Sequence, residues 1–106
     1  MVGLAVERHA YQSIGALGVI ELTAPGRVAC VARGMRRLGM PATSTRYYDL
    51  HATLDIEHSR RWNAEILHPL VERTPATAQL LARGALMRME AGRRCFARYR
   101  HVLCQD

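Results

Sequence analysis

The sequence predicts an all-α fold, a bundle of about four helices that forms one domain over residues 1–106. Apolar residues recur at helical spacing through most of the chain, which is the main sequence signal for amphipathic helices. Proline and glycine breaks are few, and no run alternates between apolar and polar residues as a half-buried strand does. A chain of 106 residues also has the usual size of a single domain.

The first predicted helix runs from about Leu4 to Thr23 and ends at the Ala24-Pro25-Gly26 break. Gly15 and Gly18 lie inside this helix, and each lowers its helix propensity by about 1 kcal/mol relative to alanine. The alternative reading of these glycines is that they allow a neighbouring helix to approach closely.

A second, short helix is expected from about Arg27 to Leu38, with Gly39 well placed to end it. The third helix is expected to begin near Thr43-Ser44-Thr45, because these residue types are good N-caps. It should run to about Val71, with Pro69 ending or kinking its last turn.

The fourth helix is expected to start at Thr74-Pro75, a capping residue followed by proline at the first helical position. It should continue to about Leu103. The sequence therefore predicts four helices joined by short loops.

The chain is basic, with a net charge of +6 that comes from fifteen arginines and no lysine. A positive charge permits nucleic-acid binding, but these arginines are dispersed among acidic residues. No basic stripe interleaved with aromatic residues accompanies them, nor does a zinc-finger or RNA-binding signature. We therefore expect no nucleic-acid partner.

Hydropathy and cysteine usage bear on the location of the protein. No stretch approaches about 18 uninterrupted apolar residues, and the first ten residues lack the layout of a signal peptide. We therefore expect no membrane partner and a cytoplasmic location. The three cysteines, Cys30, Cys95 and Cys104, are odd in number and form no CxxC pair, which fits a reducing compartment.

A possible metal site lies on the third predicted helix. At about 100° per residue, His51, Asp55 and His58 fall within an arc of roughly 60°. Imidazole nitrogen with carboxylate oxygen is a ligand set that suits iron, manganese or zinc. The alternative is that the histidines are packing residues and that Asp55 satisfies their N–H groups.

Glu21 is the candidate ligand from another helix. It lies near the end of the strongly apolar stretch from Ile14 to Leu22, where a carboxylate is costly to bury unless it is paired or bound to a metal. The alternative is that Glu21 lies at the solvated end of its helix, next to the break at Pro25.

Several neighbouring residues have two readings. Tyr47 and Tyr48 either line a substrate pocket or cover a core edge, and Trp62 either caps the metal pocket or packs in the core. Glu57 and Glu65 are expected to face solvent, with Glu65 paired to Arg61. Glu90 is expected to pair with Arg94 rather than reach the metal.

The sequence also resembles a known family, the haem-oxygenase-like di-iron oxidases and oxygenases, or iron-containing redox enzymes. The resemblance spans about residues 10–103 and is to the C-terminal half of the family's sequences. The segments that carry it are Gly15-Ala16-Leu17-Gly18-Val19-Ile20-Glu21, Gly34-Met35-Arg36-Arg37-Leu38-Gly39, Tyr47-Tyr48, His51-x-x-x-Asp55-x-x-His58 and Trp62.

This resemblance implies that the metal ligands are Glu21, His51, Asp55 and His58. It implies half of a haem-oxygenase-like fold and one or two non-haem iron ions that activate dioxygen to oxidise a small-molecule substrate. The family's N-terminal half supplies further Glu and His ligands, and this chain has no counterpart of it. A natural half-protein, a fragment and a degenerate remnant all remain open.

The competing hypothesis is a catalytically inactive helical interaction module. Half of a bundle exposes an apolar face, which would favour a homo-oligomer or a partner that supplies the missing helices. The two hypotheses are compatible, since a dimer could rebuild a bundle with two sets of ligands. Haem is a less favoured cofactor, because the cluster has two histidines and a carboxylate where haem needs one axial ligand.

Overall fold

The computed structural model describes residues 2–104, with side chains from residue 7 onward. In this part of the chain the fold is all-α, as predicted. The helices are α1 (Val2–Arg37), α2 (Ala42–Trp62), α3 (His68–Arg73) and α4 (Thr77–Leu103), and a π-helical turn (Asn63–Leu67) joins α2 to α3. Because α2, the π turn and α3 follow one another without a break, they form one continuous rod.

The described residues form three long rods in an up–down–up order, rather than four. α1 lies in the middle and packs against α2 on one side and α4 on the other. α2 runs antiparallel to α1, since Glu21 meets His58 while the later Arg36 meets the earlier Asp49. α4 runs parallel to α1, since Gly15 faces Leu81 while Arg27 lies over Phe96.

The predicted break at Pro25 does not occur, because α1 continues through it as a single helix of 36 residues. Proline removes one helical hydrogen bond, here to the carbonyl of Glu21, and costs about 3 kcal/mol inside a helix. α1 contacts α2 both before Pro25, at Glu21, and after it, at Arg36. Packing on both sides of the proline therefore keeps the helix continuous, and the first two predicted helices are one.

Pro69 lies near the end of its rod, where the sequence predicted an end or a kink; the rod continues to Arg73 and the turn before the proline is irregular. The residues before it, Asn63–Leu67, widen into the π-helical turn, and the N–H of His68 donates to the carbonyl of Asn63, five residues back. A proline ring clashes with the carbonyl four residues before it. We attribute the π turn to this clash, because a wider turn moves that carbonyl away from the ring.

Gly39 ends α1 as predicted. It has φ +77, a left-handed conformation that glycine adopts at no steric cost. The N–H of Gly39 donates to the carbonyl of Arg36 (3.0 Å), and the N–H of Met40 donates to the carbonyl of Met35 (3.0 Å). This bonding pattern is a Schellman motif.

The start of α2 was predicted to within one residue and that of α4 to within three, but the expected caps do not form. α2 starts at Ala42, so Thr43, Ser44 and Thr45 lie in its first turn, and no side chain caps it. α4 starts at Thr77, because Thr74 and Pro75 form a turn before it.

The core is thin. Among the described residues the buried apolar side chains are Ala32 and Leu81, and Thr45, Asp55, Ser59 and Thr77 are buried polar residues. The radius of gyration is 17.2 Å, against about 13 Å for a compact chain of this length. The three rods therefore form an open, flattened layer of 53 × 33 × 19 Å.

The contact between α1 and α4 is made by glycines. A Cβ placed on Gly15 would overlap the carbonyl of Leu81, and one placed on Gly84 would overlap the carbonyl of Gln12. The two helix backbones therefore touch directly, which confirms the close-approach reading of Gly15.

One helical segment, Glu7–Arg37 within α1, is long and apolar enough to cross a membrane by length and composition alone. A helix at the centre of a water-soluble fold or a signal sequence can meet the same criterion. One such segment is therefore weak evidence for a membrane span.

Candidate metal centre

Glu21, Asp55 and His58 lie together between α1 and α2. The Nδ1 atom of His58 is 3.1 Å from Oδ1 of Asp55 and 3.7 Å from Oε2 of Glu21. One possible ligand atom from each residue lies within 4.8 Å of the other two. Asp55 and His58 are three residues apart on α2, so they lie one turn apart on the same face. Glu21 approaches them from α1.

Charge and burial distinguish this group from an ordinary surface ion pair. The Asp55 side chain is 10% exposed and that of Glu21 is 26% exposed, and a buried carboxylate is costly unless it is compensated. The chain has fifteen arginines, yet within the described residues neither carboxylate pairs with one. His58 alone serves both carboxylates, so the group has an excess of negative charge.

His51 lies outside this three-residue group. It is four residues before Asp55 on α2, and its ring packs against that of Tyr47 with centroids 4.0 Å apart. Nδ1 of His51 lies 2.8 Å from the carbonyl oxygen of Tyr47. Because a carbonyl only accepts hydrogen bonds, Nδ1 carries the proton and donates it. In the neutral imidazole this leaves Nε2 unprotonated, which is the form that binds a metal.

An open groove of about 200 Å³ adjoins the group, lined by Glu21, His58, Arg61, Trp62, Glu65 and Ile66. The indole N–H of Trp62 donates to the carbonyl of Ile14 (3.2 Å), which fixes the indole against α1. Trp62 therefore both packs between the helices and borders the candidate site, so each of the two readings holds in part.

Glu65 is a groove residue that the sequence analysis missed. As predicted, it pairs with Arg61 (3.2 Å) and its side chain is 60% exposed. However, it also lines the groove with Glu21 and His58. It lies in the π turn, which shifts the register of the residues beyond Trp62. Its position could not be read from regular helical spacing, although Pro69 was a signal of irregularity nearby. Glu57 is exposed, as expected, and it pairs with Arg60.

Glu90 lies away from the candidate site, paired with arginines of its own helix. Its carboxylate accepts hydrogen bonds from Arg93 (2.7 Å) and Arg94 (3.0 Å). The expected pair with Arg94 is confirmed, and the pair with Arg93 was not foreseen. The hydrogen bonds from Arg93 and then Arg94 lower the pKa of Glu90 from 4.5 to about 2.

The donor set of the group fits a divalent metal such as iron. Two carboxylates and an imidazole are ligands that non-haem Fe(II) accepts, and three protein ligands leave positions open for other molecules. A divalent cation would also compensate the excess negative charge of Glu21 and Asp55. Haem, which needs a single axial histidine, fits this group less well than non-haem iron, because the group contains two carboxylates.

Comparison with models of known families gave a match, whereas the other two comparisons did not. No curated protein and no solved structure matches the chain, so its likeness to half of a haem-oxygenase-like bundle stays a prediction. A family model described as an iron-containing redox enzyme matches residues 1–93. That match covers most of the chain and includes all four predicted ligands. The chain therefore belongs to the family of iron-containing redox enzymes.

Proposed function

We propose that this protein binds non-haem iron between α1 and α2 and uses it to oxidise a small-molecule substrate with dioxygen. The observation that carries the proposal is the convergence of Glu21, Asp55 and His58 from two helices, with ligand atoms within 4.8 Å of one another. Membership of the family supports iron and redox chemistry over the alternative of an inactive interaction module. One iron is the minimum that this group would hold.

Glu21, Asp55 and His58 would hold one iron, and His51, one turn before Asp55 on α2, is the candidate ligand for a second iron. The hydrogen bond from Nδ1 of His51 to the carbonyl of Tyr47 sets the tautomer whose Nε2 is free. Hydrogen bonds of this kind orient the histidine ligands of metal sites. The packing of the Tyr47 ring against His51 also limits how the imidazole rotates.

In the metal-free site, the proton between the ligands is held by His58. In the metal-free protein, His58 Nδ1 carries a proton when it donates to Asp55 Oδ1. Metal binding needs the deprotonated ligand atom, so binding through Nδ1 moves that proton to Nε2 in a neutral imidazole and releases one proton from an imidazolium. Iron held by such a set supplies one-electron redox chemistry and an open position for dioxygen when it is bound. The groove beside Trp62 is the route by which small molecules reach Glu21 and His58.

The experiment that tests this proposal is anaerobic reconstitution with Fe(II), followed by measurement of the retained iron. We expect stoichiometric iron in the wild type and at least a roughly tenfold weaker affinity in Asp55→Asn and His58→Ala, because each loses one ligand. His68→Ala is the matched control, since His68 is an exposed histidine of the same rod outside the group.

Dioxygen uptake by the Fe(II)-loaded protein is the second readout. We expect uptake by the wild type and by His68→Ala, with loss in the two ligand variants. Iron that binds equally to all four proteins would contradict the assignment of the ligands. Tight iron without any dioxygen uptake would leave a metal site but overturn the oxidase proposal.

A further inference from the structure

The surface area of the chain indicates that part of it is covered in solution. The solvent-accessible surface is 8158 Å², whereas a compact folded monomer of 11.9 kDa exposes about 5,900 Å². The excess is about 2,200 Å². If two chains each covered half of that excess, the interface would bury about 2,200 Å², within the range of permanent dimers.

The exposed apolar residues beside the candidate metal centre form two stripes. At about 100° per residue, Leu17, Ile20 and Val31 share an arc of about 60° on α1. Tyr47, Leu50 and Leu54 share an arc of the same width on α2. All six side chains are large and 39–60% exposed.

Both stripes lie on the same side of the layer. Glu21 adjoins the α1 stripe, His58 adjoins the α2 stripe, and these two side chains meet in one groove. α4 contacts α1 at Gly15, about 160° from Leu17 around α1, and at Arg27, at the edge of this side. The α1 stripe itself stays open beside α4, since its three side chains are 39–44% exposed. We call the surface formed by Leu17, Ile20, Val31, Tyr47, Leu50 and Leu54 the α1–α2 apolar face.

We propose that a second copy of this chain packs on the α1–α2 apolar face. Two antiparallel helices with adjoining apolar stripes can pack on their own copy about a two-fold axis as a four-helix bundle. Of the charged residues of α2 beside the face, Glu57 pairs with Arg60 and Arg61 pairs with Glu65, and Arg46 has no ion pair among the described residues. A single unpaired arginine is too little charge to call for an acidic partner, so a self-complementary apolar surface suits the face best.

The test is the mass of the metal-free protein in solution, measured by sedimentation velocity over a range of concentrations. We expect a dimer of twice 11.9 kDa for the wild type. Ile20→Glu and Leu50→Glu should weaken the dimer at least about a hundredfold, because each would bury an unpaired carboxylate. Because no iron is present, this result does not depend on the proposed function.

Ile56→Glu and Leu86→Glu are the matched controls, since these side chains are 54% and 64% exposed and lie off the face. Circular dichroism checks that all four variants keep their helix content. Controls that stay dimeric while the face variants dissociate would support the proposal. A wild-type protein that is monomeric at every concentration would overturn it, whether or not the variants fold. A monomer that floats with lipid vesicles would overturn it in favour of a membrane surface.

Discussion

The two sides of α1 are built differently. Towards α4, Gly15 and Gly84 bring backbone directly against backbone, so that contact is set by sterics and tolerates no added atom. Towards α2, the buried groups include Asp55 and Ser59, and the contact opens into a groove at Glu21 and His58. The α1–α4 contact is a close backbone contact, whereas the α1–α2 contact gives up apolar packing for a polar group that can hold a metal.

The largest effect is expected at the glycine contact. Gly84→Ala should destabilise the fold by about 3 kcal/mol or more, because its Cβ would overlap the backbone of Gln12 and the helices must separate. Urea unfolding followed by circular dichroism measures this. In contrast, Gly34→Ala should stabilise α1 by about 0.5–1 kcal/mol, since no atom lies within 4 Å of its added methyl group. Equal effects of the two substitutions would contradict the steric account.

A smaller effect is expected for Trp62→Phe in the α1–α2 contact. It removes the hydrogen bond from the indole N–H to the carbonyl of Ile14, and the expected loss is about 1 kcal/mol because a net hydrogen bond is worth that much. The same unfolding measurement applies. A loss as large as that of Gly84→Ala would show that the α1–α2 contact is as tightly packed as the α1–α4 contact.

The smallest effect is expected for Glu90→Gln, at the exposed ion pairs of α4. Because the folded pKa of Glu90 is lowered to about 2 from 4.5, its stabilising contribution is present above pH 4.5 and is lost as the pH falls towards 2. The difference in melting temperature between wild type and Glu90→Gln should therefore be small at pH 7 and vanish near pH 2. A difference that grew as the pH fell would contradict the assigned direction.

Helical spacing predicted the part of the site that depends on local geometry. It placed Asp55 and His58 on one face of a helix, and burial cost indicated Glu21 as their partner. Spacing around a helix does not give distance along it, and His51 is about 10 Å from His58 along the axis at 1.5 Å per residue. Glu21 therefore meets Asp55 and His58 but not His51.

The continuity of α1 through Pro25 depends on tertiary packing. Pro25 remains inside α1 because α2 packs on both sides of it, and Pro69 is accommodated by the π turn that brings Glu65 to the groove. The sequence near a proline shows that the helix loses stability there, but it does not show the tertiary contacts that compensate for the loss. The all-α class and the glycine end of α1 needed only local signals, and both were predicted correctly.

The most direct test of the central claim is the melting temperature of the protein with and without Fe(II) under anaerobic conditions. A metal that joins α1 to α2 binds the folded state selectively and raises the melting temperature. Glu21→Gln should abolish most of that rise, because Glu21 is the ligand that α1 contributes. Glu65→Gln, which alters a carboxylate in the same groove, should keep it. An equal rise in both variants, or none in the wild type, would contradict a metal centre between these helices.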